Sequence, residues 1–380
     1  MDDQDRLTKT FLDLLRINSP SKNERGVADY VKPRLVALGF EVEEDDTGKH
    51  IGGSAGNVIA FKRGNAPGAR SIFLCCHMDT VEPTSDLEPV VSDGIVRSRG
   101  NTILGADNKA GIAAVLEGVE QFLACSSSHP DIQILFDVSE EIGLLGAKNL
   151  DKSKIRARLG YVLDTGAPVA GVVVSAPSHE SIKVEIQGRA AHAGVEPEKG
   201  VSAIVAAANA IAKMKLGRID FETTANIGVI EGGKARNIVP DKCIVRGEAR
   251  SRNEDKLAEQ VRHMTDLFAA EAAKIGAAAQ VQVTREYSGF RFTKDDEVVR
   301  LAVEAARGIG IEPELQDGGG GSDANVFNEA GIPSVVLGVG YHNPHTPDEY
   351  ISLQDLRKAA QLVASLLNSA CKCASHDQHV

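Results

Sequence analysis

No apolar run in the 380 residues reaches the roughly 18 that a membrane-crossing helix needs. Nor does any cluster of Lys and Arg interleave with aromatics, which make up only 4% of the chain. Lys plus Arg total 42 against 53 Asp plus Glu, a formal charge of −11. An acidic chain without a basic stripe lacks the electrostatic footprint for nucleic acid or an anionic membrane, so neither is expected as a partner. The opening MDDQDRLTKTFLDLLRI is acidic and amphipathic and has no basic-then-apolar leader pattern, so a cytoplasmic location is expected. The cysteines at 75, 76, 125, 243, 371 and 373 show no spacing of a disulfide framework, so reduced thiols are expected. Cys75 and Cys76 lie inside an apolar run and read as core. The tail CKCASHDQHV reads as a frayed terminus rather than a Cys/His metal site.

Hydrophobic residues at 42% and charged residues at 25% describe an ordinary globular chain, and the length predicts two domains. Up to about residue 177, helical and strand-like segments alternate, the mark of an α/β layer. SPSKNERGVADYVKPRLVALGF predicts a helix opened by a capping box of Ser21 and Glu24. SIFLCC, DIQILFDVS, GYVLD and, much later, SVVLGVG are short continuous apolar runs. They predict strands of a mostly parallel sheet covered by helices on both faces. Between 178 and 290 the style changes to longer alternating strands with two helices between them. The order β-α-β-β-α-β predicts an inserted ferredoxin-like α+β domain. The larger domain, 1–177 and 291–380, is therefore expected to be discontinuous.

In an open α/β sheet the functional groups gather beyond the carboxyl ends of the strands. SIFLCC is followed there by His77 and Asp79, and DIQILFDVS by Glu140 and Glu141. GYVLD ends at Asp164, SVVLGVG is followed by His342 and His345, and Asp107 lies just ahead of a helix in GADNKAG. Singly, each has a bland reading: a satisfied structural histidine, or a helix N-cap at Asp107. Together, two histidines and four or more carboxylates facing one cleft are tolerable only with bound cations. Imidazole plus carboxylate without thiolate favours zinc, with other divalent metals such as cobalt or manganese as alternatives. The donors exceed one catalytic ion and fit two ions bridged by a carboxylate, roughly 3.5 to 4 Å apart. Glu140 and Glu141, being adjacent, cannot point the same way along a strand, so one can hold a metal while the other handles protons.

The pieces SPSKNE, HMDT, GADNKAG, SEEIGLLGAKNL, VLDTG, AAHAG, GGKARNIVP and GGGGSDANVFNEAGIPSVVLGVGYHNPHTPDEY resemble, in order, those of the di-zinc metallopeptidases typified by peptidase T. That family also holds dipeptidases, carboxypeptidases and amide deacylases. The resemblance implies one zinc on His77, Asp107 and Asp164 and another on Asp107, Glu141 and His345. It also implies Asp79 as the residue that orients the His77 imidazole, Glu140 as general base toward the attacking water, and a cis peptide after Asp107. His192 would stabilise the oxyanion, often from a partner subunit, and Arg236 and Asn237 would bind substrate. The glycine-rich DGGGGSD has neither the Lys nor the spacing of a phosphate-binding loop, and the resemblance puts it at the edge of the substrate cleft. Expected partners are a short peptide substrate and a second copy joined through the inserted lid and dimerisation domain. The leading expectation is tripeptide aminopeptidase action. A dipeptidase or carboxypeptidase, an N-acyl amino acid deacylase, or an inactive metal-binding scaffold are the alternatives.

Overall fold

The computed structural model describes residues 3–166 and 168–372. The chain divides into two compact units. The first comprises the chain up to Val174, Arg291–Asp317 and the chain from Ser322 onward; the second comprises Ser175–Phe290 with Gly318–Gly321. The tail from Cys373 lies outside the described residues. None of the five described cysteines is in a disulfide, and Cys75 and Cys76 are buried. No described helix is long and apolar enough to cross a membrane.

The first unit is built on a nine-stranded, mostly parallel sheet. Ile72–His77 lies between parallel neighbours Ile132–Asp137 and Leu159–Thr165, and Ser334–Gly338 pairs in parallel beyond the latter. Ile72–His77, Ile132–Asp137 and Ser334–Gly338 are buried at every position. A run that must be apolar on both faces cannot alternate, which is why these strands read as continuous hydrophobic stretches. Val58–Lys62 and Glu41–Glu44 add an antiparallel margin. The helix Ala106–Cys125 packs on Leu353–Cys371. At Gly118 a Cβ would lie 2.4 Å from the Ala360 carbonyl oxygen, so the close approach of these helices requires glycine.

Two features depart from the sequence expectation. The helix Arg25–Ala37 has Glu24 at its N-cap, but no side-chain cap forms. Glu24 is fully buried and its Oε1 accepts from the Lys22 amide and from the Ser139 amide and hydroxyl. The Ser21 hydroxyl instead donates to Asp79 at 2.6 Å. Both capping residues are drawn to partners over a hundred or nearly sixty positions away, which no local signature encodes. The second feature is a small antiparallel sheet of Pro89–Ser92, Ile95–Ser98, Tyr350–Ser352 and Tyr341–His342. Strands this short leave no periodic trace in the sequence.

The second unit is a five-stranded antiparallel sheet in the order Gly217–Arg218, Thr223–Gly232, Lys242–Ser251, Ser178–Gln187, Ala278–Tyr287. Leaving out the two-residue edge strand, the four long strands follow the ferredoxin-like arrangement. On Ser178–Gln187, Ile182, Val184 and Ile186 point into the core while Lys183 and Gln187 are exposed. The buried face packs against Ala206, Ala207 and Ala210 of the helix Ala203–Ile211 and against Leu257, Met264 and Phe268 of Glu254–Lys274.

Candidate metal centre

His77 is the last residue of its strand and its ring is buried. Nδ1 lies 2.9 Å from the main-chain carbonyl oxygen of Asp79 and 3.5 Å from the Asp79 carboxylate. A carbonyl can only accept, so Nδ1 carries the hydrogen and the neutral ring presents the Nε2 lone pair. Nε2 faces Asp107 Oδ1 at 3.1 Å and Asp164 Oδ1 at 3.3 Å. The second histidine repeats the pattern: His345 Nε2 lies 3.0 Å from Glu141 Oε1 and 3.3 Å from Asp107 Oδ2. The two oxygens of Asp107 thus serve different histidines. In each of the triplets His77, Asp107, Asp164 and Asp107, Glu141, His345, the donor atoms all lie within 4.8 Å of one another. The Asp107–Asn108 peptide is cis.

The donors fit metal. Around a tetrahedral ion with bonds of 2.0–2.1 Å, neighbouring ligand atoms stand about 3.3 Å apart, the spacing seen here. The electrostatics agree. Burial opposes the charged form of His77, but the Asp164 carboxylate and hydrogen bonds to Asp107 and Asp164 hold its pKa well above the ordinary histidine value. Hydrogen bonds to Asp107 and Glu141 push His345 up to about 10. Burial pushes Asp164 up to about 7 against the pull of His77. Desolvation, joined by the charge of Asp164, raises Glu140 well above the carboxylate range. At Asp107 burial is overcome by hydrogen bonds from His345 and His77, and the pKa falls. Without a cation, the histidines and carboxylates compete for protons. A divalent ion displaces those protons and satisfies all of them at once.

Supporting groups fix the donors. Asp79 Oδ1 accepts from the Glu140 amide at 3.0 Å and Oδ2 from the Glu141 amide at 3.2 Å, so this carboxylate holds the loop that carries both glutamates. Asn108 Nδ2 donates to Asp164 Oδ1 at 3.1 Å. The contact of Asn108 to Asp164, and that of Ser21, expected as a helix cap, to Asp79, had no sign in the sequence, because a neutral side chain beside a ligand has no signature of its own. His342 is stacked on Tyr350 at 4.6 Å and belongs to neither triplet.

His192, Arg236 and Asn237 belong to the second unit and are exposed. Their two loops pair: the Ala193 amide donates to the Asn237 carbonyl and the Val239 amide to the Ala191 carbonyl, each at 2.9 Å. His192 Nδ1 accepts from the Gly194 amide at 3.2 Å, which in a neutral ring leaves Nε2 as a donor.

Residues 73–369 match the model of peptidase family M20/M25/M40. The chain belongs to this family. It is thereby a peptide-bond hydrolase of a metal-dependent kind. It is 44% identical to the Bacillus subtilis protein YqjE over 98% of this chain and all of the relative. The structure of aminopeptidase PepT from Bacillus cereus is similar at a TM-score of 0.90 and 44% identity, covering 97% of this chain and 99% of that one. A Staphylococcus aureus tripeptidase is similar at 0.91 and 41%, covering 97% and 98%.

Proposed function

We propose that this M20 peptidase is a two-zinc aminopeptidase that releases the N-terminal residue of tripeptides. The observation that carries the dinuclear reading is Asp107, whose two oxygens face His77 and His345 separately. Likeness to the B. cereus aminopeptidase and the S. aureus tripeptidase over nearly the whole chain supports the substrate class.

His77, Asp107 and Asp164 would hold one ion, and Asp107, Glu141 and His345 the other. Bound there, zinc supplies Lewis-acid polarisation of a carbonyl and acidification of water. Glu140 takes the proton from the attacking water and returns it to the leaving amine, so the base ends the cycle as it began. Its desolvation raises its proton affinity, the direction this task requires. Asp79 orients the His77 ring and holds the Glu140 amide. His192 donates from Nε2 to the developing oxyanion, and Arg236 and Asn237 bind the substrate main chain or carboxylate.

The second unit would also pair two copies. Ile204 and Val205 on its helix, Ile230 on Thr223–Gly232, and Val281 and Val283 on Ala278–Tyr287 are large apolar side chains left exposed. The deciding experiment is a substrate screen of zinc-loaded protein, with sedimentation on the same sample. N-terminal release from tripeptides by a dimer is expected. Turnover confined to dipeptides or N-acyl amino acids would overturn the substrate reading, and a monomer at micromolar concentration the pairing.

A further inference from the structure

The loop 343–349 raises a question of rigidity. His345 is about half exposed and sits at a φ of 63°, and Asn343 two positions earlier has a φ of 53°. Two non-glycine residues in the left-handed region persist only where the surroundings impose them. The His345 side chain is only half covered, so part of the constraint comes from the rest of the loop. The loop closes on itself through the Thr346 hydroxyl to the Asn343 carbonyl at 2.8 Å and the Glu349 amide to the Thr346 carbonyl at 3.1 Å.

The Glu349 side chain leaves this loop altogether. It is 1% exposed, and its Oε2 accepts from the Gly105 amide at 2.7 Å while Oε1 accepts from the Asp107 amide at 3.0 Å. Gly105 has a φ of 73° and Asp107 lies outside helical geometry at φ −77°, ψ 103°. The turn that aims Asp107 therefore has non-helical corners at Gly105 and Asp107, and one buried carboxylate, four positions after His345, holds the amides of both. Because both oxygens are used, the contact sets an orientation as well as a distance.

We propose that Glu349 is a positioning residue that locks the Asp107 and His345 donors to each other. It touches neither ion nor substrate and acts through the main chain of Asp107. The proposal rests on the two-ion reading above. It assigns to Glu349 the separation between the shared carboxylate and the more exposed histidine, and hence the tightness of the ion held by Asp107, Glu141 and His345. Residues that orient ligands in this way typically change metal affinity by about 10- to 100-fold when lost.

The test uses full-length protein, with cobalt(II) as a spectroscopic probe and zinc titrated against a chelating indicator. Glu349→Gln keeps the shape but can accept at only one atom. It is expected to weaken the ion held by Asp107, Glu141 and His345 about 10- to 100-fold, and the other ion, which shares Asp107, by less. The cobalt d–d spectrum should change most for the ion held with His345, and kcat should fall more than KM changes. Glu349→Ala should deepen the same pattern. Apo melting temperature is the control: if both variants melt lower but bind both ions with wild-type affinity and spectra, Glu349 is a structural residue only and the proposal is overturned. Wild-type protein that takes up fewer than two ions would overturn the two-ion reading itself. Two tight ions in the wild type and equally tight ions in both variants would remove only the role of Glu349.

Discussion

Ile72–His77 and Ile132–Asp137 in the first unit are buried at every residue, and their charged or ionisable polar side chains, His77 and Asp137, come only where the strands end. Ser178–Gln187 in the second unit alternates buried with partly or fully exposed positions and spreads its polar groups along its length. The difference has a chemical consequence. A strand buried on both faces has nowhere to place a charge except at its end, so several such strands in parallel deliver their charged residues to one edge. There the groups are desolvated, and their pKa values are displaced in both directions, up at Asp164 and Glu140 and down at Asp107. The half-exposed sheet of the second unit imposes no such gathering. Its candidate functional residues stand on exposed loops.

The sharpest way to break this contrast is at Glu140. Glu140→Gln preserves size and shape but cannot take a proton, so turnover should fall about 10²- to 10⁴-fold while metal content and melting temperature stay put. Single-turnover kinetics with metal analysis checks this. Rates near wild type would place the base elsewhere.

The second unit is tested by His192→Ala. A lost oxyanion donor costs about 10²- to 10³-fold in kcat. Because the residue is exposed, fold and metal content should be unaffected. Mixing inactive Glu140→Gln chains with inactive His192→Ala chains then asks whether the histidine acts across subunits. Regained activity after verified exchange means that it does.

Metal removal should separate the units by stability. An ion present at about 1,000 times its Kd stabilises by about 4 kcal/mol, and that increment belongs to the unit whose groups bind it. Hydrogen exchange with and without chelator should show lost protection in Ile72–His77 and Ile132–Asp137. Ser178–Gln187 should be unchanged. Equal loss in both units would mean that the ions stabilise the whole chain.

The same contrast explains what could be read from the sequence. The buried parallel strands announce themselves as apolar runs, and their ends mark His77, Glu140, Glu141 and Asp164 by topology alone. Asp107 and His345 were candidates by the same argument, but preferring His345 to His342 and giving Asp107 to both ions required the motif resemblance, because one precedes a helix and the other lies seven residues beyond its strand. The roles of Ser21, Asn108 and Glu349 were not legible. Their partners are between 56 and 244 positions away, and each acts through a contact that no periodicity encodes. The small sheet that carries the His345 loop was invisible for the same reason. Its strands run two to four residues, and its pairing joins residues 95–98 to 350–352.

The smallest expected effect lies in acid. Glu248 in the second unit has its pKa lowered to about 2, chiefly by the neighbouring His179 imidazole, with burial opposing and Arg250 assisting. His179 Nε2 stands 3.1 Å from Glu248 Oε2, and Arg250 contacts both carboxylate oxygens at 3.0 Å. A carboxyl whose folded pKa lies below the unfolded value stabilises the fold above the unfolded pKa, and that contribution disappears as pH falls through the folded one. With an ordinary value of 4.5, the loss should run from about pH 4.5 down to about 2. The carboxylate is about a third exposed, so solvent screening keeps the effect modest. Urea midpoints measured across that range should fall for the wild type and fall less steeply for Glu248→Gln, which has no proton to gain. The loss should register in the exchange of Ser178–Gln187 and Lys242–Ser251, the paired strands that carry His179 and Glu248. Parallel slopes for wild type and variant would show that this ion pair contributes nothing to the stability of the second unit.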